Sequence, residues 1–301
     1  MRRLIGGAAL AALVHGPLVA ADAQVVQRVA DINPGPGGSD IADLTAVNGI
    51  VFFEADDGVN GSELWKSDGT AGGTVLVADI ALGAGSFPFG LTAVGNLLFF
   101  GADDGVAGAE LWRSDGTAAG TVLVKDIRPG AIGSVPVQLT QVGSTVYFLA
   151  DDGPTGAELW RSDGTAVGTF LVEDIRPGGA SSNAEDLTPV GNLLFFTATD
   201  GVAGRELWKS DGTAAGTVLV KDIAPGAGGS APRNLAVVGD VLFFSASDGV
   251  TGSELWRSDG TAAGTVVVKD IVPGGSSFPD ALTVVGNTLF FAADDGVTGP
   301  E

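Results

Sequence analysis

The chain has 301 residues, with 36 Asp plus Glu against 15 Lys plus Arg, a net charge of −21, one histidine, one methionine and no cysteine. Such a charge repels phosphate backbones and argues against nucleic acid as a partner, and without cysteine the fold must be held by burial and pairing alone. The single histidine, His15, lies in an N-terminal segment that reads as removable, which leaves the remainder without an imidazole base, a thiol nucleophile or a soft metal ligand.

In chain order, residues 1–23 read as a signal peptide: Arg2 and Arg3, an apolar stretch from Leu4 to Ala20 interrupted by His15, Gly16 and Pro17, then the small-residue site Ala21-Asp22-Ala23. The stretch is shorter than the roughly 20 apolar residues a spanning helix needs, and no later segment is a membrane candidate. Leu4-Ile5-Gly6 does not complete a twin-arginine motif, so a Sec-type signal is expected. The mature chain is then expected to begin near Gln24 and to be secreted, periplasmic or held at the cell surface.

Residues 25–32, ending in Ala30-Asp31-Ile32, read as a lone strand of the kind that closes each later repeat. The repeat itself is announced by Glu-Leu-Trp, which recurs with its tryptophans at 65, 112, 160, 208 and 256, spaced 47, 48, 48 and 48 residues apart. A period this constant means one supersecondary unit copied in tandem. In the second copy the unit has four apolar runs, a to d, at Leu91 to Val94, Leu97 to Ala102, Ala109 to Ser114 and Thr121 to Ile127. Gly, Asn and Asp separate them, as turns between antiparallel strands require. Run b is decisive, because Leu97, Leu98, Phe99 and Phe100 are consecutive and alternate strand residues face opposite ways, so both faces need cover. The predicted fold is an all-β β-propeller of four-stranded antiparallel blades, about 40–50 residues each; the coils of an open β-solenoid are shorter. Residues 24–301 form one such domain. Its units lie near 44–80, 91–127, 139–175, 187–223 and 235–271, with a partial sixth at 282–301, and the chain reads as a fragment of a longer array.

The Glu-Leu-Trp-x-Ser-Asp-Gly-Thr run resembles the ELWxxDGT repeats of a family of bacterial secreted proteins, over nearly all of residues 25–301. The resemblance implies a propeller-like array on exported proteins and supplies no catalytic residues.

Antiparallel alternation puts the b-to-c turns and d-to-a loops on one face of the array. That face is expected to carry a rim of carboxylates: Asp56 and Asp57, Asp103 and Asp104, Asp151 and Asp152, Asp200, Asp248, Asp294 and Asp295, with Glu63, Glu110, Glu158, Glu206 and Glu254 nearby. Hard cations such as Ca²⁺ take six to eight oxygen ligands, so the paired aspartates are metal candidates. The competing reading is an Asx turn, favoured because the first Asp becomes Thr199 and Ser247 in two copies. The Ser-Asp-Gly-Thr turns read as structural hairpins. The tryptophans read as filling between sheets. The basic residues after them (Lys66, Arg113, Arg161, Lys209, Arg257) read as members of cross-strand or inter-blade ion pairs. Differences between copies concentrate in the d-to-a loops, which offer Phe87, Phe89, Arg233 and Phe278 as ligand-binding candidates, and Arg205, which replaces Ala or Ser just before Glu-Leu-Trp in its copy, joins them.

The expectation is a binding or cell-surface interaction scaffold, not an enzyme, with protein or carbohydrate partners. One alternative is a calcium-stabilised adhesin-like or carbohydrate-binding propeller. The other is a polysaccharide hydrolase or lyase using two carboxylates, which the sameness of the copies disfavours, since acid and base roles need unlike environments.

Overall fold

The computed structural model describes residues 11–13 and 26–301. The expected signal peptide lies outside the described residues apart from Ala11–Leu13, and the expected mature N-terminus at Gln24 lies outside them too. Every regular element among the described residues is a strand. β1 (Ala11–Leu13) pairs antiparallel with β2 (Val26–Arg28).

Five four-stranded antiparallel sheets follow, each in the sequential order a-b-c-d. The first holds β3 (Ala42–Val47), β4 (Ile50–Asp56), β5 (Ser62–Ser67) and β6 (Val75–Ala78), and the second β7 (Phe89–Val94), β8 (Leu97–Asp103), β9 (Ala109–Ser114) and β10 (Val122–Lys125). The third is β11 (Val137–Val142), β12 (Thr145–Asp151), β13 (Ala157–Ser162) and β14 (Phe170–Glu173). The fourth is β15 (Glu185–Val190), β16 (Leu193–Thr199), β17 (Arg205–Ser210) and β18 (Val218–Lys221). The fifth is β19 (Arg233–Val238), β20 (Val241–Ser247), β21 (Ser253–Ser258) and β22 (Val266–Lys269); β23 (Asp280–Val285) and β24 (Thr288–Ala292) make a two-stranded sixth. The all-β repeat of propeller-like blades read from the sequence is therefore present. Two compact units divide it, one of residues 1–139 with 164–166, the other of residues 140–163 with 167–301.

Each strand a begins earlier than its apolar run suggests, because a β-bulge lets pairing resume beyond it. In the first sheet Ala42 opposes Glu54 but Thr45 opposes Phe52, one extra residue on β3. The bulge sets a positive φ at Asp43, and equivalent residues Gln138, Asp186, Asn234 and Ala281 share it. Strand d ends earlier than predicted, since the amide of Ile80 leaves the ladder for the Glu63 side chain.

Sheets bury their faces against each other within each unit. Phe52, Leu64 and Val77 of the first sheet pack with Leu98, Phe100, Ala102 and Trp112 of the second. Leu207, Val220 and Phe195 pack likewise with Leu242, Phe244 and Trp256. Neighbouring b-strand residues thus serve opposite interfaces, which is why the run Leu97–Phe100 is apolar throughout. The segment Val29 to Ile32 packs on Phe53, Ala55 and Trp65, as Val77 and Ile80 pack on the next sheet's Phe100, Ala102 and Trp112. It therefore occupies the place of a preceding d strand.

Candidate binding face

The five repeated glutamates are fully buried. This corrects their placement on an open rim. Glu63 accepts hydrogen bonds from the amides of Ile80, Ala81 and Ser86, each at 3.1 Å, and from Ser86 Oγ at 2.6 Å. Glu206 repeats the pattern with Ile223, Ala224 and Ser230, and Glu254 with Ile271 and Ser277. Each carboxylate ties its own d-to-a loop to the start of strand c. The serine has a second task, since Ser86 O accepts the amide of Asp103 in the next sheet and Ser230 O that of Ser247. The serine partners were missed in the sequence, although a Ser lies 23 or 24 residues after each Glu (Ser86, Ser134, Ser182, Ser230, Ser277). Burial raises the carboxyls of Glu63, Glu110 and Glu206 above the usual range, while the serine and amide hydrogen bonds act the other way. Burial pushes Glu158 up to about 7, with the charge of Asp174 adding to the effect.

The aspartates of the b-to-c turns bond within their own turns. Asp56 Oδ1 accepts the Gly58 amide at 2.6 Å, and Asp57 Oδ1 accepts those of Val59 and Asn60. Asp103 and Asp104, Asp294 and Asp295 do the same. Asp151 bonds the Gly153 amide, and Asp152 bonds Thr155. Where the first Asp is replaced, Thr199 Oγ1 bonds the Gly201 amide at 3.0 Å and Ser247 Oγ the Gly249 amide at 3.2 Å. A hydroxyl performs the same turn-closing task as the carboxylate. Among the described residues there is no group of three or more His, Cys, Asp or Glu placed to hold a metal ion.

On the opposite face, three of the basic residues that follow a tryptophan reach the next sheet's Ser-Asp-Gly-Thr turn. Lys66 Nζ donates to Gly116 O at 2.7 Å, Arg161 Nη1 to Gly212 O at 3.2 Å and Lys209 Nζ to Gly260 O at 2.8 Å. The expected ion pairs are replaced at these sites by bonds to a backbone carbonyl that the tight turn leaves free. An aromatic ring completes each latch: a Cβ on Gly116 would lie 3.1 Å from Phe52, and one on Gly260 3.0 Å from Phe195.

The ligand-binding candidates separate. Phe89 is tucked in, its ring lying over Gly101, where a Cβ would meet it at 2.3 Å. Phe87 and Phe278 are 62% and 67% exposed. Both have positive φ, as do Asp40, Val135, Asn183 and Ala231 at equivalent loop positions. The cause is a fixed backbone bond: the amides of Phe87, Val135, Ala231 and Phe278 donate to the first carbonyl of strand c, at Ser62, Ala109, Arg205 and Ser253. Arg205 is held by Glu185 at 3.2 Å and by Thr197 Oγ1 at 2.9 Å, while Arg233 opens β19 in an exposed position. Besides these loops, a cleft of about 340 Å³ lies along β3, β7 and β11, lined in part by Asp43, Leu91 and Gln138.

No family model matches the chain, and no curated protein matches it. Among solved structures, a puromycin hydrolase is similar over 90% of this chain and 44% of its own length, at 17% identity and a TM-score of 0.51. A prolyl endopeptidase is similar over 84% of this chain and 39% of its own length, at 14% identity and a TM-score of 0.51. The computationally designed Ika8 protein is similar over 85% of this chain and 69% of its own, at 21% identity and a TM-score of 0.46. The chain thus spans less than half the length of the two peptidases, and at these identities the likeness concerns the fold.

Proposed function

We propose that the chain is a non-enzymatic exported scaffold of the ELWxxDGT-repeat kind, which binds a protein or carbohydrate partner at the cell surface through its d-to-a loops. The observation that carries this reading is the division of labour between repeated and variable residues. Repeated Glu, Asp, Trp and basic side chains are consumed by anchors, turns, core and latches. At one equivalent loop position, by contrast, the chain presents Asp40, Phe87, Val135, Asn183, Ala231 and Phe278 on the same backbone geometry. Exposed aromatic rings on a rigid frame suit the apolar face of a sugar or a protein pocket. A catalytic carboxylate pair needs accessible groups in unlike environments, whereas the repeated glutamates here are fully buried.

The test is a binding screen of the folded chain against cell-surface glycans and proteins, repeated with Phe87→Ala and Phe278→Ala. Loss of about ten-fold or more in affinity with unchanged melting is expected for an anchor ring. Binding indifferent to both rings would place recognition elsewhere, and turnover of any polysaccharide would overturn the non-enzymatic reading.

A further inference from the structure

Three residues set the first sheet apart from its copies, and they converge on one place. Glu54 stands on β4 where the next four sheets have Gly101, Leu149, Thr197 and Ser245. Leu82 replaces the proline of the later d-to-a loops (Pro129, Pro177, Pro225 and Pro273), and Phe87 has an aromatic counterpart only in Phe278. Glu54 shares a strand face with Phe52 and lies opposite Leu64, so its side chain turns toward the second sheet. The loop that joins the two sheets crosses at that point. A Cβ on Gly85 would lie 2.8 Å from the Ser62 amide nitrogen and 3.1 Å from the Phe87 ring, so ring and Ser62 are neighbours, and the Ser62 side chain in turn lies beside the Glu54 carboxyl. Glu54 is half-buried and has no cationic partner among the described residues. Burial raises its carboxyl above the usual range; Ser62 opposes the rise, and the charges of Asp43 and Asp40 add to it. Leu82 and Val59 belong to the loop and the turn that meet at Gly85 and Gly61, and they are 87% and 80% exposed. Both flanking sheets have all four strands.

The fourth sheet shows which group fits there. Arg205 occupies the place of Ser62, and its Nη1 meets Thr197 Oγ1, at the position of Glu54, at 2.9 Å and Glu185 at 3.2 Å. In that copy the chain supplies its own guanidinium; in the first copy the serine leaves the space open and the carboxylate unpaired. We infer that the first sheet takes the same group from a protein partner: an arginine side chain enters between Phe87 and Glu54, and apolar neighbours on the partner rest on Leu82 and Val59. A planar guanidinium stacks on an aromatic face and pairs with a carboxylate through two parallel N–H bonds, a combination that an ammonium cannot match. An unpaired carboxylate rejects an acidic sugar, and an aliphatic rim around a charged centre suits a protein surface better than a hydroxyl-rich glycan. The net charge of −21 also favours a basic partner. This inference rests on the d-to-a loops being the binding face and narrows what the first of them recognises.

The experiment adds the peptide acetyl-Leu-Arg-Leu-amide to the 301-residue chain and follows the NMR signals of Glu54, Ser62 and Phe87. Saturable shifts at these three residues are expected. Affinity should fall by about ten-fold or more with Glu54→Gln, with Phe87→Ala, and with a peptide in which citrulline, the neutral isostere, replaces arginine. Ser62→Arg should abolish binding with unchanged melting, because it fills the site from within as Arg205 does. If that variant does not fold, the citrulline peptide on the unaltered chain keeps the test decisive. The inference is overturned by the absence of a saturable shift at these residues or by equal responses to the arginine and citrulline peptides. A glycan that binds at Phe87 while the arginine peptide does not would overturn this inference alone and leave the binding face standing. Arginine-peptide binding at Glu54 together with turnover of a polysaccharide would uphold this inference and sink the non-enzymatic reading.

Discussion

Glu63, Glu110, Glu158 and Glu206 each face a set of donors, so the charge is satisfied by hydrogen bonds while burial opposes ionisation. For Glu158 burial wins, and its carboxyl titrates at about 7 against about 4.3 in an unfolded chain. A raised folded value gives stability that is complete below the unfolded value and is lost as pH rises through about 7. The melting midpoint should therefore rise between pH 8 and pH 5, and Glu158→Gln should flatten that slope whatever it does to the midpoint itself. The shift corresponds to a change on the order of 3 kcal/mol; thermal melts at a series of pH values read it directly. The Asx-turn carboxylates act with the opposite sign. Amide hydrogen bonds from Thr298 and Val297 hold Asp295 below the usual range, and for Asp57 the bonds from Asn60 and Val59 outweigh burial. Their stability is lost as pH falls through those lowered values, which sets the acid limb. Val135 shows a different residue-scale cost: a β-branched side chain at φ 49, forced there by the bond from its amide to Ala109 O. Val135→Asn should stabilise by roughly 1 kcal/mol in denaturant unfolding, since Asn tolerates this region.

Turns carry the second set of expectations. Gly116 and Gly69 occupy equivalent Ser-Asp-Gly-Thr turns with nearly the same φ, +87° and +90°, but only Gly116 lies against a ring; nothing stands within 4 Å of a Cβ at Gly69. Gly69→Ala should cost the backbone strain alone, about 1–2 kcal/mol. Gly116→Ala should cost more, by about 1 kcal/mol or above, for displacing Phe52. Equal effects would remove the latch as a stabilising contact. In the b-to-c turns, Asp103→Ser should be nearly neutral because Ser247 already closes such a turn. Asp104→Ala should cost about 1 kcal/mol or more, as two amides lose their acceptor. The same geometry predicts an unchanged melting midpoint between EDTA and millimolar calcium; a saturable rise would assign the aspartates to a metal.

At the scale of the whole molecule, tandem copying fixed what could be read in advance. The 48-residue period, the turn dipeptides and the double-faced run Leu97 to Phe100 together demanded stacked four-stranded sheets, because periodicity and burial are local consequences of side-chain alternation. The tryptophans were legible for the same reason. The roles of the polar repeats were less so. Glu63 reads as a rim carboxylate until its partner, Ser86, is brought back by the d-to-a loop, and Lys66 reads as half of an ion pair until the next sheet offers Gly116 O. Phe87 and Phe89 are two residues apart, yet Phe87 is exposed in the d-to-a loop and Phe89, at the start of β7, covers Gly101, a distinction made by bulge and backbone bond. The sequence by itself determined the repeat, the strand order and the composition of the core, all properties of one unit and its period. Only the tertiary structure decided which polar groups are buried and which rings are free, because those depend on what the neighbouring sheet places opposite each residue.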